Sequence, residues 1–446
     1  MTSARGLVIA APASGNGKTV VTLGLLRALK RAGIGISSAK TGPDYIDPLF
    51  HAAATGRPAP NLDTWAMRPE TLSALLSATQ NDTQLVIVEG VMGLFDGANL
   101  PGRPDAGSTA DLAALTGWPV VLVVDAAKQA ASAAALVSGF ARHRDDVTVA
   151  GVIFNRVGSE THAHVLHDAM NAACPDIPVL GTIPRDGRLA LPERHLGLVQ
   201  AGEHAALDRF IDEAADLIAA SVDLDALQAL ARTATLAKAR DGRAESLPPL
   251  GQRVAVARDV AFAFCYAAVL DSWRVAGCEI MPFSPLADES PDRAADAVYL
   301  PGGYPELHGA RLAAATRFQS GLRDAAGRGV AVYGECGGYM ALGRGLVDAD
   351  GRRHEMAGLL PLETSFAKRK LHLGYRMAET SAKSPLGDPG IAFRGHEFHY
   401  ATVLTDDNAS PLFRIANARG EDLGPAGMIV GRVAGSFVHL IDRADA

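Results

Sequence analysis

Val330-Ala331-Val332-Tyr333-Gly334-Glu335-Cys336-Gly337-Gly338 reads as a short apolar strand running into a sharp G-x-C-x-G turn that opens a helix. This is the layout of a nucleophile elbow, with a thiol where hydrolases of that geometry place a hydroxyl. Glycines on both sides of Cys336 permit the strained backbone that pushes a sulfur into a cleft. A helix starting directly after it would lower the thiol pKa. The plain alternative is a buried cysteine beside a glycine turn. A second stretch gives the elbow a context: Ser14-Gly15-Asn16-Gly17-Lys18-Thr19 follows the strand-like run Leu7–Ala10 and precedes Val21, Leu25, Leu26 and Leu29 at helical spacing. A thiol hydrolase joined to a nucleotide-binding loop suggests that one half releases a reagent and the other consumes it.

In that loop the backbone N–H groups of Ser14, Gly15, Asn16 and Gly17 and the helix N-terminus would hold phosphates. Lys18 would bridge the terminal phosphates and the Thr19 hydroxyl would reach Mg²⁺. The strict G-x-x-x-x-G-K-[ST] pattern is not met, because Pro12 stands where the first glycine belongs. Leu85-Val86-Ile87-Val88-Glu89-Gly90 is an apolar strand ending in a carboxylate, so Glu89 would hold or orient Mg²⁺ opposite Thr19. On spacing alone an ordinary strand-end acid would look the same. Lys40-Thr41-Gly42-Pro43-Asp44-Tyr45-Ile46-Asp47-Pro48 follows the short strand Ile36–Ala39, at the sheet edge where α/β folds bind ligands. Its cation and two carboxylates could position phosphates, metal and an acidic substrate, although Asp–Pro turns are common in any loop.

At 446 residues the chain is too long for one core, and two α/β domains of about 200 residues each are expected. Leu85–Val88, Val120–Val124 and Val149–Phe154 join Leu7–Ala10 as buried strands of a parallel sheet. Residues 237–252, polar and broken by Pro-Pro and Gly, form the expected linker between 1–236 and 253–446. The pattern then restarts with Arg253–Ala257, Glu279–Phe283 and Ala297–Leu300. A formal net charge of −7 argues against a nucleic-acid binder, which needs a basic stripe, but allows a local basic pocket for an acidic small molecule. Cys174, Cys265, Cys278 and Cys336 show no C-x-x-C spacing, so neither zinc nor a disulfide framework is indicated. The first apolar run is too short for a signal peptide, and no stretch nears the roughly 20 residues that span a bilayer. A cytoplasmic enzyme without membrane partners is the expectation.

The phosphate-loop variant, K-T-G-P-D-Y-I-D-P at 40–48, V-E-G-V-M-G-L-F-D-G at 88–97 and P-G-G-Y-P-E-L-H at 301–308 together resemble the cobyrinic acid a,c-diamide synthase family, in particular its hydrogenobyrinic acid branch. The resemblance covers nearly the whole chain. It implies a dethiobiotin-synthetase-like P-loop domain that binds ATP and corrinoid, followed by a class I glutamine-amidotransferase-like α/β domain. The family's first loop glycine falls at Ala11. Asp44, Asp47, Glu89 and Asp96 match acidic positions around Mg²⁺ and the reacting carboxylate, and Lys40 a lysine that neutralises phosphate or acyl-phosphate charge. Asn155 resembles an adenine-reading asparagine, with Pro184 near the same base. Leu191–Leu198 matches a further signature of no derived role. The implied reaction is ATP-dependent, glutamine-hydrolysing amidation of the a and c acetates of hydrogenobyrinic or cobyrinic acid through acyl phosphates, in cobalamin biosynthesis. A homodimer is compatible with it.

For the glutamine half, His439 at the end of a strand-like run is the expected base for Cys336. Cys336 would attack the glutamine carboxamide, with backbone N–H groups of Gly337 and Gly303 holding the oxyanion. Triad amidotransferases carry an acid two residues after the histidine, and here that position is Ile441, so what fixes the imidazole is open. His396 or Glu397 could line the glutamine pocket or make a structural turn. Lys368-Arg369-Lys370 with Arg376 could dock corrinoid carboxylates or be a solvated face. His162, His164 and His167 lack a metal-ligand pair and read as surface. Ammonia is mostly protonated at neutral pH, so a sheltered route between the two sites is expected. Three rivals remain: a synthase for another tetrapyrrole such as nickel-sirohydrochlorin, a partition-type P-loop ATPase, and a non-catalytic C-terminal module.

Overall fold

Strands buried on both faces need near-continuous apolar runs, and the expected runs are strands in the computed structural model. It describes residues 4–98, 100, 106–187, 189, 193–194, 197–204, 206–236, 246–406 and 409–444. Residues 237–245 of the expected linker, and Leu191, Pro192, His195 and Leu196 of the further signature, lie outside these. The chain forms two units, Met1–Trp65 with Leu72–Gly242, and Ala66–Thr71 with Arg243–Ala446. In the second unit, Arg68 of the short segment pairs with the buried Asp442 at 3.0 Å.

The first unit is built on β1 (Arg5–Ala10), β2 (Ile36–Thr41), β3 (Asn61–Leu62), β4 (Leu85–Glu89), β5 (Val120–Asp125), β6 (Val149–Val157) and β7 (Val179–Pro184). Their order is β3-β2-β4-β1-β5-β6-β7, every neighbouring pair parallel. Val86, Ile87 and Val88 are fully buried, each contributing roughly 1.5–3 kcal/mol of apolar burial. Two helices matter for the site: α1 (Lys18–Arg31), whose buried face includes Leu25, Leu26 and Leu29, and α2 (Asp47–Thr55), with a proline in its first turn. The order places the C-terminal ends of β1, β2 and β4 side by side, where a doubly wound sheet binds ligands. The register pairs Lys40 with Glu89 across β2 and β4.

The second unit carries a six-stranded sheet ordered Glu279–Phe283, Arg253–Ala257, Ala297–Leu300, Ala331–Glu335, Val433–Ser436, Met428–Val430, parallel except for its last pair. A separate antiparallel sheet holds Asp422–Ala426, Phe413–Asn417, His372–Thr380, Ala392–His399 and Val438–Arg443. The chain passes from one sheet to the other at Phe437. Because Glu335 pairs with Ser436 in register, the elbow and the strand bearing His439 start from the same point.

Candidate active sites

In the first unit, Gly17 caps α1 with φ of 81°, a conformation that favours glycine, and a side chain there would overlap Asn155 Nδ2. Asn155 donates to the Asn16 carbonyl at 2.9 Å, and Arg156 donates to the Gly15 carbonyl at 2.9 Å. The loop is thus held from β6, with Asn155 bracing it. Gly17, Asn155, Ile183, Pro184, Leu189 and Ile218 also border one pocket. Ser14 and Gly15 are exposed, and Lys18 reaches the Met92 carbonyl at 3.1 Å. Burial, then the neighbouring Lys40 ammonium, lowers Lys18 to about 8.

Lys40 is the centre of a buried charge cluster. Its ammonium donates to Asp47 at 2.5 Å, Glu89 at 3.0 Å and the Gly90 carbonyl at 3.2 Å, and lies 3.9 Å from Asp44. Two of its N–H groups therefore hold carboxylates and the third a backbone carbonyl. Thr19 Oγ1 donates to Glu89 at 2.7 Å and stands 3.5 Å from Asp47. Burial alone would lower Lys40, but Asp47, Glu89 and Asp44 more than reverse it and hold it above its ordinary value. Burial would raise Glu89, and Lys40 and His51 hold it below the usual carboxylate range. Asp47 absorbs the surplus negative charge: burial, then Asp44, push it up to about 7. Asp44 also accepts from the Ile46 and Asp47 N–H groups, fixing the entry to α2. Asp96 is exposed and accepts from Gly93 N–H at 2.8 Å within its own turn.

His51 was missed by the sequence reading. It is fully buried, with Nε2 at 2.7 Å from Glu89 Oε2. The signal was there: His51 lies four residues after Asp47 on α2, hence on the same helical face. Hard oxygen donors carrying surplus negative charge beside a phosphate loop suit Mg²⁺, so the donor set of Thr19, Asp44, Asp47 and Glu89 fits that ion.

In the second unit, Cys336 adopts φ 45° and ψ −103°, the strained backbone of an elbow. A Cβ on Gly338 would overlap the Leu300 carbonyl oxygen, so the turn requires glycine there. Gly302 separates the two reactive side chains: a Cβ on it would overlap His439 Cε1, and would lie 3.0 Å from Nε2 and 3.3 Å from Cys336 Cβ. Gly337 and Gly303 are also adjacent, since a Cβ on Gly337 would lie 2.8 Å from Gly303 N. Ala at Gly302 is therefore expected to displace His439 and lower glutamine hydrolysis on the order of 10²-fold. Circular dichroism would show the fold retained, and an unchanged hydrolysis rate would contradict the geometry.

The expected lowering of the thiol pKa is overturned. Burial first, then the Glu306 carboxylate, pushes Cys336 well above the usual thiol range. The helix that follows, Gly337–Leu342, is only six residues long, and its contribution does not offset closure of the pocket. Burial, then His396, lowers His439 to about 3, so the resting pair is a neutral thiol and a neutral imidazole.

Nearby groups sort themselves by their partners. Glu397 is held by Arg376 at 2.7 Å and His399 at 2.9 Å, and His399 also faces the Ala401 carbonyl. Arg376 therefore does not join Lys368, Arg369 and Lys370, which are exposed. His372 and His399 stack at 4.7 Å and 3°, a parallel geometry that suits packing better than a shared ion, although His372, Glu397 and His399 offer donors within 4.8 Å of one another. His162 is half-buried, where its ring bonds the Gln129 carbonyl at 2.6 Å and accepts from Gly158 N–H, while His164 is exposed. Among the described residues, no helix is long and apolar enough to cross a membrane.

Known proteins match both units. Residues 7–199 match the CobQ/CobB/MinD/ParA nucleotide binding domain family and 253–446 the CobB/CobQ-like glutamine amidotransferase domain family. A hydrogenobyrinate a,c-diamide synthase of Brucella anthropi is 57% identical over 441 residues, covering 98% of both chains. That of Rhizobium meliloti is 57% identical, covering 99% of this chain and 100% of the relative. That of Mesorhizobium japonicum is 52% identical over the full length of both. On this likeness, and with a phosphate loop in one unit and a cysteine elbow in the other, the chain belongs to the hydrogenobyrinate a,c-diamide synthase family.

Proposed function

We propose that this chain amidates the a and c acetate carboxylates of hydrogenobyrinic acid, with ATP as activator and glutamine as nitrogen source. Residues 1–236 take ATP and the corrinoid, and 253–446 take glutamine. The observation that carries the reading is the strained Cys336 bordering the same glycine as His439. In a chain that also holds a phosphate loop, it makes a nitrogen donor joined to a carboxylate activator.

At the elbow, the Cys336 sulfur attacks the carboxamide carbon of glutamine while its proton passes to His439 Nε2. A thiol held neutral must lose its proton as it attacks. The N–H groups of Gly303 and Gly337 receive the oxyanion. Ammonia departs with the proton from His439, and water then releases glutamate from the thioester.

In the other unit, the N–H groups of the Ser14–Thr19 loop and Lys18 hold the phosphates, and Asn155 and Pro184 border the base slot. Thr19, Asp44, Asp47 and Glu89 would hold Mg²⁺, which supplies neutralisation of phosphate charge when bound. Lys40 keeps Asp47 and Glu89 together, and Asp47 and Asp96 are the carboxylates that would adjoin the acceptor, Asp47 from its place beside the ion. A carboxylate oxygen of the corrinoid attacks the γ-phosphorus and ADP leaves. Ammonia attacks the acyl carbon of the resulting acyl phosphate, and phosphate leaves.

The test is product mass spectrometry after incubation with ATP, Mg²⁺, glutamine and, separately, hydrogenobyrinic acid, cobyrinic acid or nickel-sirohydrochlorin. Diamide is expected from hydrogenobyrinic acid with the highest kcat/KM. Amide from neither corrinoid would overturn the proposal.

A further inference from the structure

We infer that Glu335 is the positioning residue for His439, taking the place of the acid that Ile441 leaves out. The inference rests on the glutaminase reading above and adds a residue to it. Glu335 ends the strand Ala331–Glu335 directly before the nucleophile and is buried. Its Oε1 accepts from the N–H of Leu440, the residue after His439, at 3.2 Å. Its Oε2 accepts from the Tyr299 hydroxyl at 2.7 Å and stands 3.9 Å from His439 Nδ1. One carboxylate thus grips the backbone beside the imidazole and stands nearest Nδ1, while Nε2 borders Gly302, the glycine that also borders Cys336.

A third triad member does this work when the pair closes: at 3.9 Å the carboxylate is beyond hydrogen-bond distance of the neutral ring, and it would draw in and stabilise the imidazolium that forms as Nε2 takes the thiol proton. A carboxylate retained in a buried site has no solvent to stabilise it, and its hydrogen bonds do so only in part. Burial raises Glu335 to about 7, against the opposing hydrogen bonds of Tyr299 and Leu440. The other titratable groups around it are Cys265 and Cys336, and His396, His399 and Glu397 surround His439.

The sign of the pH effect follows. A carboxyl raised in the fold binds its proton more tightly there than when unfolded, so its stability contribution is present at low pH and is lost as pH rises through about 7. Activity runs the other way, because only the ionised form stabilises an imidazolium. Wild-type kcat for glutamine hydrolysis therefore rises through a limb near pH 7.

The test is glutamine hydrolysis by full-length wild type, Glu335→Gln and Glu335→Asp between pH 5.5 and 9, with unfolding midpoints measured alongside. For Glu335→Gln the account expects kcat to fall between about 10²- and 10⁴-fold with KM for glutamine unchanged, the limb near pH 7 to vanish, and the midpoint at pH 8 not to drop. Glu335→Asp recovers part of kcat. Wild-type kcat and limb in Glu335→Gln would overturn this inference alone. Equal losses in kcat, KM and midpoint, without recovery in Glu335→Asp, would also overturn it by making Glu335 merely structural. Wild type that hydrolyses no glutamine would sink the inference together with the glutaminase reading beneath it.

Discussion

Cys336→Ser is expected to lower glutamine hydrolysis on the order of 10⁴-fold or more, because the nucleophile and its base act as one unit. A serine hydroxyl fits the same space, so the fold should survive the exchange. Its oxygen is a poor substitute beside His439, whose imidazole burial has made a weak base. Glutamine-dependent amidation should fall in parallel. Amidation driven by added ammonium chloride should continue, since that route bypasses the thioester. The measurement is a pair of rates on the same preparation, glutamate release and amide formation with ammonium. Residual glutamine hydrolysis at wild-type level would show that the elbow is structural. Loss of both rates would show that Cys336 supports the fold, not the chemistry alone.

Lys40→Met is expected to destabilise the first unit by about 3–5 kcal/mol, the cost of leaving a buried ion cluster without its cation. Lys40 answers Asp47 at 2.5 Å and Glu89 at 3.0 Å, and both carboxylates are buried. The methionine fills the stem's volume, so the loss reports charge more than packing. The pH dependence separates the two. Lys40 is raised above its ordinary value, so its own contribution is constant across neutral pH and is lost only as pH rises through its titration. Asp47 already stands at about 7 beside Lys40, and without the ammonium burial would raise both carboxyls further, so the variant should lose stability more steeply with rising pH than wild type. Lys40→Met/Asp47→Asn should recover part of the loss. Urea denaturation at pH 6 and 8 checks this, and a variant as stable as wild type at both would refute the cluster's role. ATP-driven amidation should fall on the order of 10²-fold, as Thr19, Asp47 and Glu89 lose their arrangement.

Much of this architecture could be read from residues, for identifiable reasons. Parallel strands covered on both faces leave unbroken apolar runs, so Arg253–Ala257 and Ala297–Leu300 have the expected ends, and the half-exposed edge strand Glu279–Phe283 keeps enough of the pattern to share them. The antiparallel sheet that carries His439 was not read strand by strand. Its strand His372–Thr380 is half exposed, with Leu373, Arg376 and Glu379 giving no clean alternation. Nor does any local signal show that Ala66–Thr71 belongs to the second unit, because the ion pair responsible joins Arg68 to a residue 374 positions away.

The sites were legible by type and less so by role. Gly17, Lys18 and Thr19 announce a phosphate loop through local spacing, and Cys336 announces an elbow through its glycines. Lys40 reads as a lysine that neutralises phosphate charge, and its pairing with Glu89 becomes visible only in the β2–β4 register. The thiol pKa went the other way from expectation because a six-residue helix is visible in sequence, whereas Glu306 and the closed pocket are not. Glu335 occupies an unspecified position of the G-x-C-x-G motif, which gives it no role by itself. Only the pairing of its strand with Val433–Ser436 brings the carboxylate to the backbone of Leu440.

The central claim is that ATP makes a carboxylate oxygen leave as phosphate so that glutamine nitrogen can replace it. Hydrogenobyrinic acid labelled with ¹⁸O in its acetate carboxylates tests this most directly, with ATP, Mg²⁺ and glutamine, followed by mass analysis of the released phosphate. The account predicts one ¹⁸O atom transferred to phosphate for each amide formed. Amide formed with unlabelled phosphate would contradict it.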